Sequence, residues 1–243
     1  LLPPGEKRLM NTVDYLLESC CVKGGFFQDM IHAGINPYLT LHLAQVLTAA
    51  GDGRFRGLIE TIASLASPTG QWPEAIHPHT GTGCMGDGQH VWAASEWVMM
   101  MKNALVYEQE QPEKLVIGAG LLPAWQTDGQ TAAAGPVFTK WGQLSVEIIF
   151  SNGTAQVRLS DCRWHGDVPE IEVRVPGFRQ CVMQGEEAPL NTVSWGITWW
   201  WWHPPMSRRR KKRKGWYVCP LYRNSTAATF PWSCRFQVTW IHG

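Results

Sequence analysis

A change of hydrophobic period partway along the chain limits what it can fold into more than any other feature. Up to about residue 107 apolar side chains recur at helical spacing, and from about residue 144 they alternate as on one face of a strand. Leu9, Met10, Val13, Leu16 and Leu17 form the first helical stripe. Asn36-Pro37 reads as an N-cap and first-turn proline, opening a helix with Leu39, Leu43, Val46, Leu47 and Ala50 on one face. Gly51-Asp52-Gly53 stops it. A third stripe, about 54–66, carries Phe55, Leu58, Ile59, Ile62, Leu65 and Ala66. The fourth segment, 90–107, is apolar nearly all round, which predicts burial on more than one side and calls for more helices than this chain supplies.

The strand pattern is equally direct. Leu144, Val146, Ile148 and Phe150 alternate with Ser145, Glu147 and Ile149. Asn152-Gly153 then supplies a type I′ hairpin turn, and Ala155, Val157 and Leu159 resume the alternation. Residues 171–175 read as a further strand, stopped by Pro176-Gly177. Helices in one run and strands in the next predict an α+β chain of segregated modules without βαβ winding. The expected division is a helical-hairpin region at 1–111, an antiparallel β-sandwich at 112–187 and a tail at 188–243.

The tail is different in kind. Residues 1–187 hold all 20 acidic side chains against 12 basic ones, whereas 188–243 hold nine basic and no acidic side chains, with eight of the 14 tryptophans. Trp199–Trp202 and the seven-residue basic run Arg208–Lys214 show neither period, so the segment reads as irregular or disordered, a shifted reading frame or a fusion. Over the whole chain the 44% hydrophobic and 17% charged composition excludes wholesale disorder. The start lacks an initiator Met and a signal-peptide core, and reads as an interior piece of a longer protein. The run near Val91–Val106 contains Glu96 and Lys102 and is too short to span a bilayer, so no membrane segment is expected. Seven cysteines without CxxC spacing read as mostly reduced thiols of a cytoplasmic protein.

Chemistry concentrates in the glycine-rich connection from Gln71 to His90, between two apolar helices. An indole beside a carboxylate, as in Trp72 and Glu74, suits sugars: their C–H faces stack on aromatic rings while a carboxylate activates water. Glycoside hydrolysis normally uses two carboxyl groups across the scissile bond. Glu74 and Asp87 are the local candidates and Asp29 is a third, while capping and loop bracing is an equally weighted role for Glu74 and Asp87. His77, His79, Cys84, Asp87 and His90 match no metal-ligand spacing, and neither a metal nor another cofactor is expected. His32 and His42 read as satisfied loop or helix residues, and Trp97 with Met99–Met101 as core.

The order Trp72-Pro73-Glu74, Asp87-Gly88-Gln89-His90, Ser95-Glu96-Trp97, Leu115–Trp125 and then strands resembles the C-terminal part of six-hairpin (α/α)6-barrel glycoside hydrolases, in their glycogen-debranching-like and α-L-rhamnosidase-like branches. The resemblance covers roughly residues 7–178. It implies a partial α/α barrel followed by a β-sandwich. It also implies Glu74 as general base on water, with Asp87 and His90 binding sugar hydroxyls beside Trp72, His77, Gln89 and Asp29. The family's general acid usually lies upstream, and the barrel has six hairpins. The implied chain is therefore inactive alone, needing an oligo- or polysaccharide substrate and the missing N-terminal barrel helices of its parent.

Two other functions compete. A non-catalytic carbohydrate-binding or structural module would use Trp125, Trp141 and Trp164 as a stacking platform, although core packing is the commoner fate of such residues. Alternatively the Arg208–Lys214 run would bind polyanions, but the acidic body opposes nucleic acid as the natural partner.

Overall fold

A computed structural model describes residues 2–177, 180–184 and 236–241. Four α-helices lie among them: α1 (Lys7–Ser19), α2 (Pro37–Ala50), α3 (Phe55–Ser64) and α4 (Val91–Leu105). Their starts follow the sequence signals. Asn36 caps α2, its Oδ1 accepting from the Leu39 N–H at 2.9 Å with Pro37 in the first turn, and Gly51 closes the helix in a left-handed conformation. Val13, Leu41, Leu47, Phe55, Ile59, Ile62, Ala93 and Met100 join in one buried core beneath these helices.

Helix α4 departs from expectation. Only Ala93, Met100, Asn103 and Ala104 are buried, so among the described residues its burial is one-sided. Its other face, Val91, Trp92, Ser95, Val98 and Met99, lies open at helical spacing. Among the described residues no further helix covers that face.

The connections read as loops contain short strands. β1 (Cys21–Val22), β2 (Gly25–Gln28), β3 (Gly34–Ile35), β4 (Ala75–Ile76) and β5 (Gly83–Met85) pair in sequence order into one sheet. Strands this short carry too few side chains to show a period, which is why the sequence conceals them. Their effect is specific: pairing of Ile35 with Ile76, and of Ala75 with Met85, lays the 29–36 connection beside both arms of the 71–90 connection.

The chain enters its strand half at Val106, six residues before Pro112. β6 (Val106–Glu110) and β7 (Glu113–Ile117) form a hairpin. β8 (Thr131–Thr139), β9 (Gly142–Ser151) and β10 (Thr154–Trp164) follow as an antiparallel meander, with Asn152 and Gly153 both at positive φ in the expected turn. β11 (Ile171–Val173) corrects the all-antiparallel expectation: it pairs parallel to β7. β12 (Gln180–Gln184) and β13 (Phe236–Ile241) complete the order β12-β13-β10-β9-β8 opposite β11-β7-β6. Leu115 and Ile117 meet Leu144, Val146, Ile148, Phe150, Val157 and Leu159 in the core between them.

β13 also corrects the tail. Its backbone pairs with β10 from Thr154↔Ile241 to Leu159↔Phe236, so a strand forms within the stretch read as patternless. Phe-Gln-Val-Thr-Trp-Ile is rich in strand formers, but six residues are easily lost among unpatterned flanks. The basic run and the Trp199–Trp202 run lie outside the described residues.

The halves meet closely. The N–H of Gly120 donates to the Ala104 carbonyl at 3.1 Å, and a Cβ on Gly120 would lie 2.6 Å from Ala104 Cα, so only glycine permits this approach. Arg174 donates to the Ala49 carbonyl at 3.3 Å and holds Glu172, itself 3% exposed and also paired with Lys114.

Candidate functional site

Helix N-termini, short strands and one buried indole shape the end of the helical half where α2 and α4 begin. The start of α2 is tied to β2: Asn36 donates through Nδ2 to Gln28 Oε1 at 2.7 Å, and the Phe26 N–H donates to Thr40 Oγ1 at 2.9 Å. The start of α4 hangs from the 71–76 segment, the His90 N–H donating to the Trp72 carbonyl at 2.8 Å. Trp72 is itself anchored, Nε1 donating to the Ile62 carbonyl at 2.8 Å. At 4% exposure, with its ring tilted against Trp97 at 5.3 Å, Trp72 is a core residue and offers no face to a saccharide. Its neighbours in sequence face a connection; its side chain turns inward because the core beside Ile62 takes a large apolar ring.

Glu74 is placed differently. Its N–H donates to the Met85 carbonyl at 3.1 Å, which fixes the backbone between the two arms. Gly86 makes the arrangement possible: it has a positive φ, and a Cβ there would stand 3.3 Å from Glu74 N. The carboxylate is partly buried and has neither hydrogen bond nor ion pair to any described residue. Both of its oxygens escape full enclosure. Among the described residues Glu74 is the one partly buried carboxylate so disposed. Glu6, Asp14, Asp52, Glu96, Glu108, Glu147 and Glu172 all have cationic partners or contacts, and Glu170 is engaged as well.

The other candidates divide. Asp87 is exposed and its Oδ1 accepts from the Gln89 N–H at 2.9 Å, bracing its own turn as the simpler reading has it. Gln89 and Asp29 are exposed, with no side-chain hydrogen bond among the described residues. His77 Nδ1 accepts from the N–H groups of His79 and Thr80, both at 3.3 Å, so its ring supports the 77–82 turn. Cys84 Sγ donates to the Ala33 carbonyl at 3.3 Å. Among the described residues no three His, Cys, Asp or Glu side chains gather to hold a metal ion, and no helix is long and apolar enough to cross a membrane. Trp125, Trp141 and Trp164 are partly buried and pack against the sandwich core.

Sequence reasoning took His42 for a satisfied loop or helix residue and Glu96 only as part of the Ser95-Glu96-Trp97 motif, and gave Tyr38 and Trp92 no role of their own. Tyr38 and Trp92 each stand two residues after the cap of their helix, Asn36 and His90, so parallel placement in two helices is the signal that would have found them. Their ring centroids lie 5.7 Å apart. His42 Nε2 faces Glu96 Oε2 at 3.4 Å, and the other Glu96 oxygen accepts from Gln45 Nε2. Gln45 Oε1 in turn accepts from Asn103 Nδ2. A continuous polar chain therefore joins a surface imidazole to the buried α2–α4 interface. No family model, curated protein or solved structure matches this chain, and the site stands on its own geometry.

Proposed function

We propose that this chain is a carbohydrate-active module, part of a glycoside hydrolase in which Glu74 activates water against a glycosidic bond, and inactive by itself. The observation that carries this reading is the unengaged, partly buried, solvent-reaching carboxylate of Glu74 on a backbone fixed by Met85 and Gly86. A carboxylate in that state is free to take a proton from water. One held in an ion pair already has its charge compensated. Asp87 and His90 flank it along the same connection and bind sugar hydroxyls. Asp87 is engaged in its own turn, so the general acid comes from outside this set.

The open face of α4 supports the second half of the proposal. Val91, Val98 and Met99 are between 48% and 70% exposed, an apolar stripe of the kind further helices of a six-hairpin barrel would cover. Incubating the chain with 4-nitrophenyl α-glucoside and α-L-rhamnoside tests the claim: no nitrophenol is released, and release would contradict a partial site. Glu74→Gln leaves oligosaccharide binding within about threefold, because the base acts on water. A loss of binding in that variant would make Glu74 a sugar ligand and remove it as the base.

A further inference from the structure

Tyr38, His42, His90 and Trp92 form one ring cluster at the first turns of α2 and α4. Tyr38 is its hub, with centroids 4.1 Å from His42, 5.7 Å from Trp92 and 6.4 Å from His90; His90 and Trp92 are 5.7 Å apart. At these separations neighbouring rings touch one another. A cage for a cation needs space between its walls, and none is left here, so a guest lies on top of the cluster. Trp92 presents the surface for it, at 65% exposure, and the His42 side chain is 43% exposed beside it.

The polar groups at the edge decide what that guest is. Glu96, with a side chain only 14% exposed, faces His42 Nε2 and orients it from below. The Tyr38 hydroxyl makes no hydrogen bond to a described residue, and His90 Nδ1 is enclosed without one. An exposed indole with hydroxyl and imidazole groups at its margin matches a ligand with a flat C–H face and equatorial hydroxyls. Glu96, whose carboxylate faces His42, is negative and disfavours anionic sugars.

We infer that Tyr38, His42, His90 and Trp92 form a stacking subsite for a neutral pyranose, with Trp92 as the platform and Glu96 as the positioning residue for His42. This rests on the carbohydrate-active reading above and moves its platform from Trp72 to Trp92. Saturation-transfer NMR on the full chain tests it, with maltoheptaose, cellohexaose and oligogalacturonate as probes. Transfer to a neutral probe is expected, together with a loss of about tenfold or more in affinity for Trp92→Ala and a partial loss for His42→Ala. Val98→Ser, farther along the same open stripe, leaves binding unchanged and separates the subsite from general stickiness. Silence with all three probes overturns both the subsite and the carbohydrate reading. Binding that survives Trp92→Ala overturns the subsite alone, and oligogalacturonate binding as well as the neutral probes overturns the preference for uncharged sugars.

Discussion

The strand half and the helical half bury their apolar surface to very different extents. In the sandwich, β9 alternates strictly, and every inward residue from Leu144 to Phe150 is 2% exposed or less. Of the ten exposed large hydrophobic residues among those described, nine precede Val106 and only Phe138 follows it. Two sheets facing each other satisfy one another's apolar faces. Helices with apolar residues on two sides need neighbours on two sides, and α4 has them on one. The sandwich thus behaves as a finished scaffold, whereas the helical half has both its unengaged chemistry and its uncovered surface.

The largest effects should come from the finished half. Phe150→Ala removes a ring that is 1% exposed between the sheets and should cost about 3–5 kcal/mol in denaturant unfolding. Glu172→Gln strips the partner from Lys114 and Arg174 at 3% exposure, with an expected loss of about 3–5 kcal/mol because two cations are left uncompensated near the junction. If either loss were matched by Val98→Ser on α4, the contrast between the halves would fail; that exposed position should change stability by no more than about 0.5 kcal/mol. The same Val98→Ser variant, combined with Met99→Gln, should reduce self-association in sedimentation velocity, since the stripe is what remains uncovered.

Trp72→Phe separates core from platform. It leaves a smaller aromatic ring in the core and removes the Nε1–H donor to the Ile62 carbonyl, for an expected cost of about 1–3 kcal/mol in stability with oligosaccharide binding unaltered. The reverse pattern would return Trp72 to the sugar site.

Acid should weaken the junction between the halves. Burial would raise the carboxyl of Glu108, but the Lys102 ammonium and the Lys140 N–H outweigh it and hold the group below its ordinary range. A depressed folded value contributes stability that is complete above the unfolded value and is lost as pH falls through the folded one. Thermal unfolding between pH 7 and pH 3 should therefore show a shallower acid decline in Glu108→Gln than in the unsubstituted chain, from a lower starting point. An unchanged slope would remove Glu108 from the junction's pH response.

Much of this architecture was legible in the sequence, for reasons that also explain what was not. The cap at Asn36, the Asn152-Gly153 turn and the alternation of β9 are local signals, each satisfied within a few residues. The five-stranded sheet is not local: β3 and β4 are two residues each and exist because residues some forty positions apart pair. Trp72 misled for a similar reason. Its sequence neighbours say connection, while its environment is decided by Ile62 and Trp97 from other elements. Glu74 stands out in the sequence as a carboxylate in a glycine-rich connection, and the structure leaves its side chain without a partner among the described residues. Tyr38 and Trp92 were missed because an aromatic in an apolar helix reads as core until its exposure is known.

The central proposal is a sugar site on the helical half. Titrating the ¹⁵N-labelled chain with maltoheptaose, and separately with cellohexaose, and following backbone amide shifts would locate the contact directly. The predicted result is a set of perturbations at Tyr38, His42, Glu74, His90 and Trp92 for at least one probe, with β8 to β10 unmoved. Perturbations confined to the sandwich, or none with either sugar, would contradict it.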